Sequence, residues 1–299
     1  MGWRILYIEE AEKLSLYLDN IKIVKKGIND VIIPLADIHT LILDNYMLSV
    51  TVQLLNKCCE YNINLIMCSI DHMPSVIVNP YSGNKQAPLQ LRKQLQWDIN
   101  AKRYLHQIII KNKIRNQRRL LEYLQLDIEV VNKLISFENE VELGDIHNRE
   151  GLSAKMYFKE LFGNQFRRFS EDKINAGLDY GYSILRSQIT KTLISKGLNP
   201  IIGIFHKGPE NQFNLSDDII EPFRPIIDTY CFKVIKNKIG FTKENKLDLI
   251  KLTTINIKYG NTYQSFFNVL VMYIDSILYF LETGDDSRIL DIVINYEKV

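Results

Sequence analysis

The sequence predicts an α+β protein, with a small N-terminal mainly-β domain (residues 1–78), a linker (79–88) and a larger all-α domain (89–299). Three observations predict it. Apolar residues alternate with period two before residue 80 and recur with helical period after it. Asn79-Pro80-Tyr81-Ser82-Gly83-Asn84-Lys85-Gln86-Ala87-Pro88 concentrates turn-forming residues between the two regimes. The 299 residues, 46% apolar and 24% charged, have globular composition and enough length for two domains. Disordered, collagen-like and low-complexity chains are thereby excluded.

In chain order, Trp3–Ile8 is a short apolar strand. Leu14–Leu18 and Ile21–Val24 alternate around the turn pair Asp19-Asn20 and predict a hairpin. Val31–Pro34 and Thr40–Leu43 are further strands. Ser49–Tyr61 has helical spacing at Val52, Leu55 and Cys59, with Ser49 as N-cap, and Leu65–Cys68 is a buried strand. Beyond the linker, Leu91, Leu95 and Ile99 fall at i, i+4, i+8. Helices are expected near 90–111, 114–125, 128–141, 149–162, 170–196, 217–237, 243–258 and 261–282. Phe266–Leu281 is the most apolar stretch. Asn268 and Asp275 interrupt it, and a central Asp costs roughly 2.5–3.5 kcal/mol in a membrane span, so a buried helix is expected. No repeat of fixed period points to a solenoid.

The N-terminus shows no secretory pattern, and Cys58, Cys59, Cys68 and Cys231 form neither a zinc spacing nor a disulfide framework; reduced thiols in a cytoplasmic protein are expected. Net charge is only +2, which excludes a histone-like protein. The average conceals an asymmetry: residues 85–119 hold ten Lys or Arg and one acid, a local charge of +9, so the rest sums to −7. Lys111, Arg115, Arg118 and Arg119 share one helix face. Such a stripe fits phosphate neutralisation, and equally a solvated face or pairing with residues 121–150, which carry eight acids and two bases. Arg92, Lys93, Arg167 and Arg168 are further basic candidates, the last two followed by Tyr180 and Tyr182.

Three places carry side chains suited to a hard divalent cation, which takes oxygen ligands and, for Mn²⁺, imidazole. Glu150 lies in the first turn of a helix, where a carboxylate ordinarily complements the dipole. His206 ends the apolar run Ile201–Phe205 and is otherwise a loop histidine. Glu221 follows Asp218 by three residues in a helix N-capped by Ser216, and its ordinary reading is a pair with Arg224. Pro222 should kink that helix. No H-E-x-x-H, Walker loop, G-x-S-x-G or G-x-G-x-x-G occurs. Spacing alone leads no further than a helical protein with a candidate nucleic-acid surface.

At these residues the chain resembles the CRISPR spacer-acquisition integrase, the metal-dependent endonuclease subunit of the adaptation complex, in the form found beside type II systems. The resemblance spans the chain. It rests on Met1-Gly2-Trp3-Arg4, Val31–Ile38 and Met67–Ser69 in the strand domain, and on Asn148–Phe158, Phe166–Leu185, Gly197–His206 and Leu215–Pro225 beyond it. Ser69 and Glu221 stand where relatives often carry Asp.

The resemblance implies that the helical domain is catalytic, with Glu150, His206 and Glu221 as ligands of Mg²⁺ or Mn²⁺ and Asp218 as a further acid near them. It implies transesterification, in which the 3′-OH of a short DNA fragment attacks a phosphodiester at a repeat border of the CRISPR array, so no protein nucleophile is needed. The alternative is a catalytically silent DNA-binding scaffold of the same complex. The implied partners are double-stranded DNA (spacer precursor and repeat array), a second copy through the strand domain, a small ferredoxin-like adaptation subunit, the effector nuclease and a DNA-end-binding ring protein, with no membrane. Arg92, Lys93, Lys111, Arg115, Arg118, Arg119, Arg167 and Arg168 are expected along the DNA.

Overall fold

The structure is a computed structural model that describes residues 2–80 and 84–299. Met1 and residues 81–83 of the expected linker lie outside the described residues. The chain divides into two compact units: residues 1–87 with Ile194–Gly197, and residues 88–193 with 198–299.

The first unit is built from strands β1 (Arg4–Ile8), β2 (Lys13–Tyr17), β3 (Asn20–Val24), β4 (Val31–Pro34), β5 (Ile38–Leu43), β6 (Ser49–Val50), β7 (Asn64–Cys68) and β8 (Pro74–Val78), with helix α1 (Val52–Glu60) between β6 and β7. One sheet has the order β4-β3-β2-β6 and the other β1-β5-β7-β8. The hairpin pairs Leu14 with Ile23 and Leu16 with Ile21. Leu18 takes φ 53° in its turn. Ile21 and Ile23 are buried at period two, whereas β5, parallel to β1 and β7, is buried on both faces. Leu14, Ile21, Leu35, Leu41, Leu54, Cys58 and Leu65 share the core. Two expectations are corrected. Ser49 belongs to β6, and Thr51 caps α1 by accepting from the Leu54 amide. The edge strand β8 was not anticipated, because Pro74-Ser75 interrupts its apolar run; proline is tolerated at the first position of an edge strand.

Apart from Ala87 and Ile194–Ser195, which fall in the first, the second unit contains α2 (Ala87–Leu95), α3 (Ile99–Tyr123), α4 (Ile128–Glu140), α5 (Arg149–Phe162), α6 (Lys173–Ser195), α7 (Asn214–Ile220), α8 (Arg224–Lys233), α9 (Lys243–Lys251) and α10 (Phe266–Thr283). The helix expected over 90–111 breaks at Asp98, whose carboxylate accepts from the Asn100 and Ala101 amides and starts α3. From there α3 runs unbroken through residues 112–113. The kink expected at Pro222 is a 3-10 turn, Glu221–Phe223, between α7 and α8. Ser216 is not the cap of α7, which begins at Asn214; Ser216 is buried and its Oγ lies 2.8 Å from Thr190 Oγ1.

This unit is not purely helical. Strands β9 (Asn256–Tyr259), β10 (Thr262–Ser265) and β11 (Ile292–Val293) form an antiparallel sheet in the order β10-β9-β11. β9 and β10 replace the end of one expected helix and the start of the next. The Gly260-Asn261 turn, with Gly260 at φ 58°, folds β9 onto β10. Ser265 then caps α10, which buries Phe266, Val269, Leu270, Tyr273, Ile274, Ile277 and Phe280. By length and composition alone α10 could cross a membrane.

Candidate active site

Glu150 is freed from the duty its position suggested. At the N-terminus of α5 the Asp145 carboxylate accepts from the Arg149 and Glu150 amides at 2.8 and 2.9 Å, and Asn148 Oδ1 accepts from Gly151 at 3.2 Å. With those donors satisfied, the Glu150 side chain meets the ammonium of Lys113, on α3, at 2.6 Å.

His206 is fixed by Asp218 of α7. Asp218 Oδ2 accepts from the Ile204 and Phe205 amides at 2.6 and 3.1 Å. Asp218 Oδ1 accepts from the His206 amide at 3.1 Å and meets the ring Nδ1 at 2.8 Å. A carboxylate only accepts, so Nδ1 carries the proton and Nε2 keeps its lone pair when the ring is neutral. The hydrogen bond that His206 donates to Asp218 raises the imidazole pKa and outweighs burial, which lowers it. The loop approaches the carboxylate so closely that a Cβ at Gly203 would lie 2.4 Å from His206 O and 2.8 Å from Asp218 Oδ2. Asp217, next in sequence to Asp218, lines the same cavity as His206 and pairs with Arg186 Nε at 2.8 Å.

Glu221 is buried in the 3-10 turn. Its Oε1 accepts from Arg224 Nε at 2.9 Å and its Oε2 lies 2.6 Å from Lys113 Nζ. Burial opposes its charge, but Arg224 and Lys113 prevail and hold the carboxyl down to about 2. Lys113 is 7% exposed and bridges the two carboxylates. Burial lowers its pKa and Glu221 and Glu150 raise it, with a net rise.

Glu150, His206 and Glu221 line one cavity of about 540 Å³, with the cations Lys113, Arg168, Arg186 and Arg224 and the rings of Phe158, Phe169 and Tyr182. Tyr182 supports two of those cations: the Arg224 and Arg168 guanidinium carbons lie 4.5 and 5.6 Å from its ring centroid. Its hydroxyl donates to buried Asp228, which also accepts from Tyr157 at 2.8 Å. Burial pushes Asp228 up to about 6, against both tyrosine hydrogen bonds.

The structure thus brings the four acidic and histidine candidates together. It disperses the basic ones. Arg115 pairs with Glu138 and Asp291, Arg118 with Glu122 and Glu138, Arg119 with Asp291, Lys93 with Glu282, and Arg168 with Asp179. Pairing with the acidic segment, the alternative left open by the charge pattern, is therefore what Arg115 and Arg118 do. Arg92, Lys111 and Arg167 make no ion pair with a described residue. Of the eight, Arg168 lines the cavity. Sequence reasoning missed Lys113 and Arg186 and took Arg224 only as a partner for Glu221. One signal was available for Lys113: it falls on the buried face of α3 with Ile109, Ile110, Ile114 and Gln117, where a cation needs buried anions.

As placed, no three His, Cys, Asp or Glu side chains among the described residues are close enough to hold a metal ion. The donor set nevertheless fits one: two carboxylates and an imidazole with free Nε2 suit Mg²⁺ or Mn²⁺. Glu221 Oε2 is buried and makes no aligned hydrogen bond. Lys113 stands beside that oxygen as a counter-charge, where a divalent ion would have to take its place.

The family model described as "CRISPR associated protein Cas1" matches residues 6–248. The chain is 35% identical over 254 residues to the CRISPR-associated endonuclease Cas1 of Neisseria meningitidis serogroup C, covering 84% of this chain and 83% of that one. It is similar in fold to a casposase bound to integration product, with TM-score 0.77, 16% identity and coverage of 100% of this chain and 96% of that chain. It is also similar to a chain of a Cas6-RT-Cas1–Cas2 complex, with TM-score 0.73, 17% identity and coverage of 97% of this chain and 36% of that chain.

Proposed function

The chain belongs to the CRISPR-associated protein Cas1 family, and from that premise we propose that it is a divalent-metal-dependent DNA integrase and endonuclease of CRISPR adaptation, acting in the cytoplasm. The observation that carries this reading is the convergence of Glu150, Glu221 and an Asp218-oriented His206 on one cavity with four cations. Glu150, Glu221 and His206 Nε2 would hold Mg²⁺ or Mn²⁺. When bound, the ion supplies Lewis-acid stabilisation of a phosphate and eases deprotonation of the attacking hydroxyl.

The chain's own residues do the rest. Asp218 holds the imidazole in the tautomer a ligand needs. Arg186 and Arg224, steadied by Asp217 and Glu221, and Arg168, steadied by Asp179, present positive charge to the DNA backbone. The 3′-OH of a DNA end attacks a phosphodiester, one P–O bond forms as another breaks, and the leaving strand takes up a proton at its new 3′-OH. Water in place of the 3′-OH makes the same site an endonuclease. Ser183, which lines the cavity, donates to the backbone carbonyl of Asp179 at 2.7 Å and not to a base.

We further propose the family's assembly for this chain: a second copy of itself, a Cas2-like ferredoxin-fold subunit, and spacer and repeat DNA, with the effector nuclease and a DNA-end-binding ring protein as transient partners. The test uses a branched DNA that mimics a half-integrated spacer, with Mg²⁺, Mn²⁺ or EDTA. Metal-dependent resolution of the branch is expected, lost in Glu150→Ala, His206→Ala and Glu221→Ala. Tight DNA binding with no resolution under any condition would instead support the silent scaffold.

A further inference from the structure

Gln117 uses only part of its hydrogen-bonding capacity. It is 3% exposed on the buried face of α3 and lines the cavity that contains Glu150, His206 and Glu221. Its Oε1 accepts from Ser153 Oγ, on α5, at 2.7 Å, and its Nε2 makes no hydrogen bond with a described residue. Other buried amides of this unit use both ends. Gln94 donates to the carbonyls of Asn199 and Ile202 and accepts from the Asn199 amide. Asn116 donates to Pro222 O and accepts from Arg119. An amide nitrogen carries two donors, and leaving them unmet in a buried position costs free energy.

Ser153 sets which end of the amide faces the cavity. Its side chain is fully buried, and its hydroxyl makes one hydrogen bond with a described residue, to Gln117. Ser153 stands one turn beyond Glu150 on α5, as Gln117 stands one turn beyond Lys113 on α3. Two rungs thus join the helices: Lys113 to Glu150 at 2.6 Å, and Gln117 to Ser153. The second rung ties down the carbonyl end and leaves the Nε2 donors to the cavity. A hard metal ion takes the other end of an amide, its oxygen. Free N–H donors call for an acceptor such as an anion's oxygen. Gln117 lies roughly 6 Å along the helix axis from Lys113, whose ammonium joins Glu150 and Glu221. A phosphodiester that enters the cavity offers such oxygens at its two non-bridging positions.

We propose that Gln117 is a catalytic residue whose Nε2 donates to a non-bridging oxygen of the phosphate under attack. This rests on the DNA-processing reading above and deepens it by assigning a neutral donor to the reacting group. As the P–O bond to the incoming oxygen forms, charge gathers on the non-bridging oxygens. A donor fixed beforehand by Ser153 stabilises that charge without reorganising. Arg168, Arg186 and Arg224 attract the DNA backbone before and during the reaction alike. A single neutral donor adds little to that binding, so its effect falls on the rate of the bound complex.

The test follows single-turnover resolution of the branched DNA by the full chain with Mn²⁺. Gln117→Met keeps the stem and should lower the rate at saturating DNA by about 10²- to 10³-fold. Its DNA affinity in EDTA, and its Mn²⁺ affinity by electron paramagnetic resonance, should match wild type. Sulfur accepts hydrogen bonds weakly, so the branch is also made with each phosphorothioate isomer at the reacting phosphate. One isomer should slow wild type more than it slows Gln117→Met, because the variant has already lost that contact. Ser153→Ala keeps the amide but frees its rotation, and should lose less rate than Gln117→Met. Gln117→Met combined with Ser153→Ala removes both partners of the bond, so it should melt near wild type and stay slow. Three results overturn the proposal: a wild-type rate in Gln117→Met; a rate restored in the double variant, which would make the loss structural; or tighter Mn²⁺ binding with full turnover in Gln117→Glu, which would make residue 117 a metal ligand. Failure of the wild type to resolve the branch with any metal would remove the catalytic reading itself, and the proposal with it.

Discussion

Replacing Lys113 by methionine isolates the charge at the centre of the site. Methionine keeps most of the apolar stem and removes the ammonium. That ammonium lies 2.6 Å from Glu150 Oε1 and 2.6 Å from Glu221 Oε2. At an effective dielectric constant near 20, each contact is an attraction of roughly 6 kcal/mol. Desolvation of buried Lys113 and Glu221 and of half-buried Glu150 offsets several kcal/mol of it, and loss of one member of such a set costs about 3–5 kcal/mol. In the variant Glu221 keeps Arg224, whereas Glu150 faces it with no cation between them. In a unit of about this size 1 kcal/mol moves the melting temperature by about 2–4 °C, so Lys113→Met should melt roughly 6–20 °C lower in chelator.

Added Mn²⁺ provides the discriminating measurement. In wild type the ion has to displace a resident ammonium; in Lys113→Met it meets two unneutralised carboxylates. Calorimetric melts of both proteins, with EDTA and with excess Mn²⁺, should show the larger metal-induced rise in the variant. Glu150→Gln added to Lys113→Met should recover part of the lost stability, because it removes the uncompensated charge. Two results refute the reasoning: a variant that melts within about 2 °C of wild type in EDTA, since so small a shift is below 1 kcal/mol, or equal metal-induced rises in both proteins.

Glu221→Gln should abolish metal-dependent branch resolution while leaving the far-ultraviolet circular dichroism unchanged; near-normal turnover removes Glu221 from the ligand set. Asp218→Asn should weaken Mn²⁺ binding by about 10- to 100-fold, because His206 loses the partner that fixes its tautomer, and electron paramagnetic resonance titration that finds unchanged affinity contradicts this. Asp228 makes stability depend on pH. Its folded-state value of about 6 lies above the ordinary 3.8, so the folded protein holds this proton more tightly than the unfolded chain. Its contribution is complete below about pH 4, and about 3 kcal/mol is lost as pH rises to about 6. Urea titrations at pH 4, 5, 6 and 7 should show this loss in wild type and a smaller one in Asp228→Asn; equal slopes reject it.

Elements with a strong local pattern were legible: the β2–β3 hairpin, the buried strand β7, and α4 and α5 within about a residue. The misses have separate physical causes. At residues 90–111 the apolar spacing Leu91, Leu95, Ile99 runs through a real helix boundary, and the Asp98 cap carried the information that periodicity hid. At 256–265 the alternation of Ile257 and Tyr259 and the Gly260-Asn261 turn were hairpin signals, lost between two apolar helical stretches.

The charges teach a sharper lesson. Counting cations along residues 85–119 treats them as equivalent, yet their roles divide by the helix face they occupy. Arg115, Arg118 and Arg119 are half-buried, and carboxylates of α4 and of residues Glu122 and Asp291 answer them. Lys113, four residues beyond Ile109 on the buried face, receives the two carboxylates assigned to the metal. A buried cation must be neutralised from somewhere, and here the anions that do it are the two carboxylates we propose as metal ligands. Two of the three proposed metal ligands were therefore reachable from two sides: from the acidic motifs through their family resemblance, and from Lys113 through the requirement that its charge be met. The second route needs no relative. It needs only the helix period and the cost of burying an ammonium, and it leads to Glu150 and Glu221.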